Sequence, residues 1–252
     1  MSENVEKNLW NKVRKVLPLL SMVPFLRMVA VCNNLAFGKV DEESDIDLFI
    51  IAKKGRLFFV RSVITLLLHL RGVRRHGRKI SGRFCLSFFV DDSFLDLSKI
   101  SIDRDFYLAY WIKSMVPIFD DGIFSLFIKK NAWVGDYFDL SVKFERKVFE
   151  DSFGGKTFCN KFYSFVFSGY VGDFLEAVLK KWQIKRALKK SKKADKDASL
   201  IVEEHILKFH NVDRREFYRN KWIGKYGFDA KLTEKKFLSL GFFFFWIVLF
   251  EF

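Results

Sequence analysis

The feature that most constrains this chain is a pair of acids at the mouth of an apolar run, where Ser44-Asp45-Ile46-Asp47-Leu48 leads into Phe49-Ile50-Ile51-Ala52. An apolar stretch of that length, entered from polar residues, reads as a buried strand over Ile46 to Ala52. Strand side chains alternate between two faces, so Asp45 and Asp47 project together while Ile46 and Leu48 anchor the opposite face. Carboxylates held side by side on a sheet rim can bind a hard divalent cation through oxygen. Taken alone, the pattern also occurs in solvated turns that open an edge strand.

The neighbouring segments build an α/β unit around this strand. Leu9, Val13, Val16, Leu17 and Leu20 recur at helical spacing and predict an amphipathic helix up to the prolines Pro18 and Pro24. Leu26 to Cys32 reads as a second buried strand, adjacent to the first. Arg56 to Leu70 is apolar nearly all round and suits a helix lying on a sheet, and Arg83 to Val90 returns to strand composition before the Asp91-Asp92-Ser93 turn. Beyond Ser98 the stretches 103–115, 122–134, 172–190 and 198–209 have helical length and pattern. The expectation is a mixed sheet flanked by helices over 1–98, then a mainly helical region over 99–252.

The loop ahead of the acid pair adds a resemblance. The segment VCNNLAFGKVDEESDIDLFII resembles the signature of the DNA-polymerase-β-like nucleotidyltransferase superfamily, in which a strand ends in Gly-Ser or Gly-Gly and an acid-hydrophobic-acid triplet follows on the next strand. Asn33 and Asn34 stand at the Gly-Ser pair, Gly38 at the second loop glycine, and Asp45 and Asp47 at the metal-binding pair. The match in motif spans Val29 to Ala52. The runs YLAYWIKSMVPIFD and FIKKNAWVGDYF look like the helical region of uncharacterised bacterial and archaeal members. The resemblance implies a nucleotidyltransferase-type fold and Mg²⁺-dependent transfer of a nucleoside monophosphate from an NTP to a hydroxyl acceptor. Asp45 and Asp47 would hold as many as two Mg²⁺ ions, with Asn33, Asn34, Gly38, Lys39 and Ser44 at the nucleotide. Asn tolerates left-handed backbone, and its amide can donate to a phosphate. The third acid of the family falls at Ser87, a poor ligand, while Asp91 and Asp92 lie past the strand end. The alternative is therefore a catalytically degenerate copy of the fold that binds nucleic acid through its basic surface.

Charge is consistent with a polyanionic partner, since 44 Lys and Arg against 30 Asp and Glu leave a formal +14. An A/T-rich coding bias would produce the same excess of Lys and Phe. Arg71 to Arg83 holds six Lys/Arg and no acid, which places Arg74, Arg75, Arg78 and Lys79 as candidate contacts to a triphosphate or RNA, unless the loop is simply solvated. Lys180 to Lys196 carries nine basic residues and a single acid, a pattern of solvated helix faces and of phosphate binding alike. Cys32, Cys85 and Cys159 are widely spaced and read as reduced thiols, and the four histidines are scattered, against a zinc site. The polar N-terminus lacks a secretion signal, so a cytoplasmic location is expected. The apolar tail from Leu238 to Phe250 is short for a membrane span. It reads as a core element, with membrane contact as the competing reading. P-loop, nucleophile-elbow and dinucleotide fingerprints are absent.

Overall fold

The computed structural model describes residues 2–138, 153–154, 158–191, 199–210 and 213–240. The chain opens with α1 (Ser2–Ser21), which buries Leu9, Val13, Leu17 and Leu20. This helix continues through Pro18 into its last turn before ending. β1 (Leu26–Cys32) and β2 (Ile46–Ala52) pair antiparallel, joined through the short α2 (Asn33–Phe37). α3 (Leu57–Leu70) then crosses back over the sheet to β3 (Phe84–Asp91), which lies parallel to β2.

The region after residue 98 is not helical alone. It supplies α4 (Phe106–Ser114), β4 (Val116–Asp120), α5 (Phe124–Lys130), β5 (Phe153–Gly154), α6 (Phe158–Val166), α7 (Gly169–Ser191), β6 (Ser199–Val202), β7 (Ile206–His210), α8 (Arg215–Tyr226) and α9 (Glu234–Leu238). Its strands join those of the first hundred residues in one mixed sheet, ordered β5-β4-β1-β2-β3-β7-β6. β5 is a two-residue edge piece beside six longer strands. Within the stretch 198–209, expected to be helical, the described residues form the β6–β7 hairpin, because Asp91 at the end of β3 organises its turn. The Asp91 N–H donates to the His205 carbonyl (3.1 Å), and the Asp91 carboxylate meets His205 Nδ1 at 2.7 Å.

The core lies on both faces of the central strands, as a sheet with helices on both sides requires. On one face Phe49 gathers Phe88, Trp111 and Phe127 at ring separations of 5.0–5.4 Å. On the other, α3 packs against α7 through a polar seam. Glu176 accepts from the Phe58 and Phe59 N–H groups (3.0 and 2.7 Å), satisfying donors that the start of α3 leaves open. Gln183 donates to the Phe58 carbonyl and accepts from Arg61 (2.9 and 2.6 Å). Beneath α4 and α8, Asp105, Arg215, Asp213 and Lys208 form a charged network, with Arg215 bridging the two acids at 3.0 and 2.7 Å. Among the described residues, no helix is long and apolar enough to cross a membrane. The apolar tail from residue 241 onward lies outside the described residues.

Candidate metal centre

Asp45 immediately precedes β2, and Asp47 is its second residue. Ile46 and Leu48, fully buried on the opposite face, hold the strand in place. The parallel neighbour β3 sets Cys85 opposite Asp47. One ligand atom from each of Asp45, Asp47 and Cys85 lies within 4.8 Å of the others. The third position is thus Cys85 and not Ser87. The register decides this, because Asp47 stands opposite Cys85 and Ser87 lies two residues further along β3, within the register shift between Asp47 and Phe49.

The other walls come from three further segments. Asn33 begins α2 with a left-handed φ of 56° and donates its side-chain amide to Asp47 Oδ2 at 2.9 Å. Asn is among the residues that enter this region most readily, and here the conformation aims the amide at the carboxylate. Tyr107, on α4, donates its hydroxyl to Asn33 Oδ1 (3.2 Å), so a hydrogen-bond relay runs from α4 through α2 to β2. Arg75 reaches in from the basic loop, its backbone N–H bonded to the Phe84 carbonyl (2.9 Å) and its guanidinium on Asp45 Oδ2 at 2.5 Å. Both side chains of that ion pair are only 9% exposed.

The electrostatics follow from this burial. The Asp45 carboxyl is pushed up to about 7, first by desolvation and then by the charge of Asp47, while Arg75 pulls it back. Asp47 is also raised by burial, opposed by the Asn33 hydrogen bond, by Arg75 and by Cys85. Burial, then the charges of Asp47 and Asp45, hold the Cys85 thiol well above its ordinary value, so it stays protonated. The same cause keeps the Tyr107 phenol protonated as a donor.

Of the residues singled out in the sequence, the structure brings together Asn33, Asp45, Asp47 and Arg75. Asn34 lies beside Asn33 in α2, with its Oδ1 buried and without a hydrogen-bond partner. Gly38 closes α2 in a left-handed conformation, φ 69°. Lys39 is exposed. The Ser44 hydroxyl is engaged in its own turn, donating to Asp41 Oδ1 (2.7 Å) and accepting from the Asp41 N–H (2.9 Å). Arg78 and Lys79 sit in an exposed turn, and Arg74 lines a separate cavity against α3 and α7. Sequence reasoning missed Cys85 and Tyr107. Tyr107 lies in an aromatic helix whose composition signals packing, and only the tertiary fold turns its hydroxyl toward Asn33.

No family model, curated protein or solved structure matches this chain. The chemistry of the donor set is therefore the test of which ion the site would take. Two carboxylates suit a hard cation such as Mg²⁺, whereas a protonated thiol is a poor partner for it. Asp45 and Asp47 fit such an ion, and Cys85 does not.

Proposed function

We propose that this protein is a divalent-metal-dependent nucleotidyltransferase that moves a nucleoside monophosphate from an NTP to a hydroxyl acceptor. The observation that carries the reading is the convergence of Asp45 and Asp47 at the start of a central strand, beside the strand–short helix–strand segment in which Asn33 takes a left-handed conformation. Asp45 and Asp47 would hold Mg²⁺, which when bound offsets phosphate charge and lowers the pKa of a coordinated hydroxyl. Asn33 orients Asp47 through its amide, and Tyr107 fixes Asn33. Arg75 balances the pair while no ion is bound and supplies a donor suited to phosphate oxygen. Isothermal titration with Mn²⁺ and each NTP tests the reading. Binding of metal and nucleotide together in the wild type, abolished in Asp45→Asn/Asp47→Asn, is the expected result. An NTP that binds both proteins alike overturns it.

A second reading is favoured by Cys85 at the third ligand position and by Arg75 already seated on Asp45. In it the fold is catalytically silent and binds nucleic acid through basic surfaces such as α7, where Lys181, Lys185, Arg186 and Lys189 are exposed. RNA affinity that falls steeply with salt, is insensitive to Asp45→Asn/Asp47→Asn and weakens in Lys185→Gln/Lys189→Gln distinguishes it.

A further inference from the structure

The basic loop between α3 and β3 sends two successive arginines to different places. Arg75 goes to the carboxylates, while Arg74 enters a cavity of about 420 Å³ between α3 and α7. That volume lies within the roughly 300–1,000 Å³ common for small-molecule sites. Arg61 from α3 and Arg186 from α7 complete a set of three guanidinium groups around it, and among the described residues no acidic side chain lines it. The remaining wall is largely apolar, with Leu66, Leu179 and the exposed Trp182, and it carries the neutral polar groups of Ser62 and Gln183.

Arg61 is the most constrained of the three cations. Only 7% exposed, it lies over the Phe209 ring at 4.6 Å and the Phe89 ring at 5.8 Å, and donates to Gln183 Oε1 at 2.6 Å. Gln183 is itself fixed by donating to the Phe58 carbonyl and the Ser62 hydroxyl, both at 2.9 Å. Arg186 lies over the Trp182 ring at 5.5 Å. The three cations repel one another: burial first, then Arg74 and Arg186, lowers the Arg61 pKa to about 9. An anion entering the cavity would offset this repulsion, because a guanidinium presents a planar fork that matches phosphate oxygens. The apolar walls and the Trp182 indole suit the body attached to that anion, and a flat ring gains most from such a surface.

We propose that this cavity binds a small phosphate monoester carrying a flat, apolar body, with Arg74 and Arg186 on the phosphate and Trp182 against the ring. The site is separate from the carboxylate pair and does not depend on the proposed transferase reading. A nucleoside monophosphate has the required form, and AMP serves as the probe.

Titration calorimetry on the full chain in EDTA tests the proposal with AMP, adenosine and inorganic phosphate. AMP is expected to bind the wild type and Asp45→Asn/Asp47→Asn with equal affinity. Adenosine and phosphate should each bind about tenfold more weakly or worse, and Arg74→Gln/Arg186→Gln should weaken AMP by about tenfold or more, the scale of lost charge-assisted hydrogen bonds. Both substituted arginines lie at or near the surface, and a thermal melt matching the wild type verifies that the variant folds. Absence of AMP binding, unchanged AMP affinity in the arginine variant, or adenosine or phosphate binding as tightly as AMP overturns the proposal. Loss of AMP binding in the carboxylate variant overturns the separateness of the site while leaving the transferase reading standing.

Discussion

Arg75→Ala is the most informative single change at the carboxylate pair, because Arg75 is the cation bonded to Asp45 and both side chains are nearly out of solvent. The folded-state pKa of Asp45 is raised from 3.8 to about 7. Between those values the native state holds a proton that the unfolded state has released, so this group makes stability fall as pH rises toward 7. The loss levels off above that, at on the order of 4 kcal/mol. Asp45 is therefore protonated near pH 5.5 and ionised near pH 8.5, so Arg75 faces one more negative charge at the higher pH. Unit charges about 4 Å apart at an effective dielectric of about 20 interact by about 4 kcal/mol. With relaxation and water entry, Arg75→Ala is expected to destabilise by about 2 kcal/mol more at pH 8.5 than at pH 5.5. Urea unfolding at the two pH values measures the difference, and Asp45→Asn in the same background should remove most of the pH dependence. Mn²⁺ should stabilise Arg75→Ala more than wild type, since it replaces the missing positive charge. An equal penalty at both pH values, or one that Asp45→Asn leaves intact, refutes the reasoning.

Other changes follow from the same contacts. Asn33→Gly should be tolerated better than Asn33→Ala by about 1 kcal/mol in chemical unfolding, since both lose the amide on Asp47 but only alanine is strained at φ 56°. Arg215→Ala leaves the fully buried carboxylate of Asp105 without its bridging cation and is expected to lower stability by about 3–5 kcal/mol, read as a shift in the urea midpoint. Phe49→Ala removes the ring at the centre of the aromatic cluster and should cost about 3–5 kcal/mol in the same assay. Glu176→Ala uncaps α3 and is expected to cost about 1 kcal/mol, with hydrogen exchange rising at the Phe58 and Phe59 amides.

Much of the sheet was legible because its central strands are continuous apolar runs: Leu26–Cys32 and Ile46–Ala52 are strands over the residues their composition suggests. The acids at 45 and 47 project together for the same reason of strand alternation. The β6–β7 hairpin was not legible, because Val202, Ile206 and Phe209 stand at helical spacing while Leu207 and Phe209 alternate as in a strand, and the contacts that decide between them come from Asp91, far away in sequence. Cys85 was hidden because the register that sets it opposite Asp47 is fixed between strands, and no local pattern records it. The basic loop was visible as charge, but its backbone pairing to Phe84 separates Arg74 from Arg75, and composition treats the two alike.

The carboxylate pair also bears on how the chain folds. Its partners arrive from α2, the basic loop, β3 and α4, so Asn33, Arg75, Cys85 and Tyr107 meet the acids only after strands distant in sequence have paired and α4 has docked. Until then both carboxylates keep their water, and the desolvation penalty falls on the native side of the folding barrier. Substitutions at Arg75 and Asp45 should consequently alter the rate at which the protein unfolds and leave its folding rate nearly unchanged.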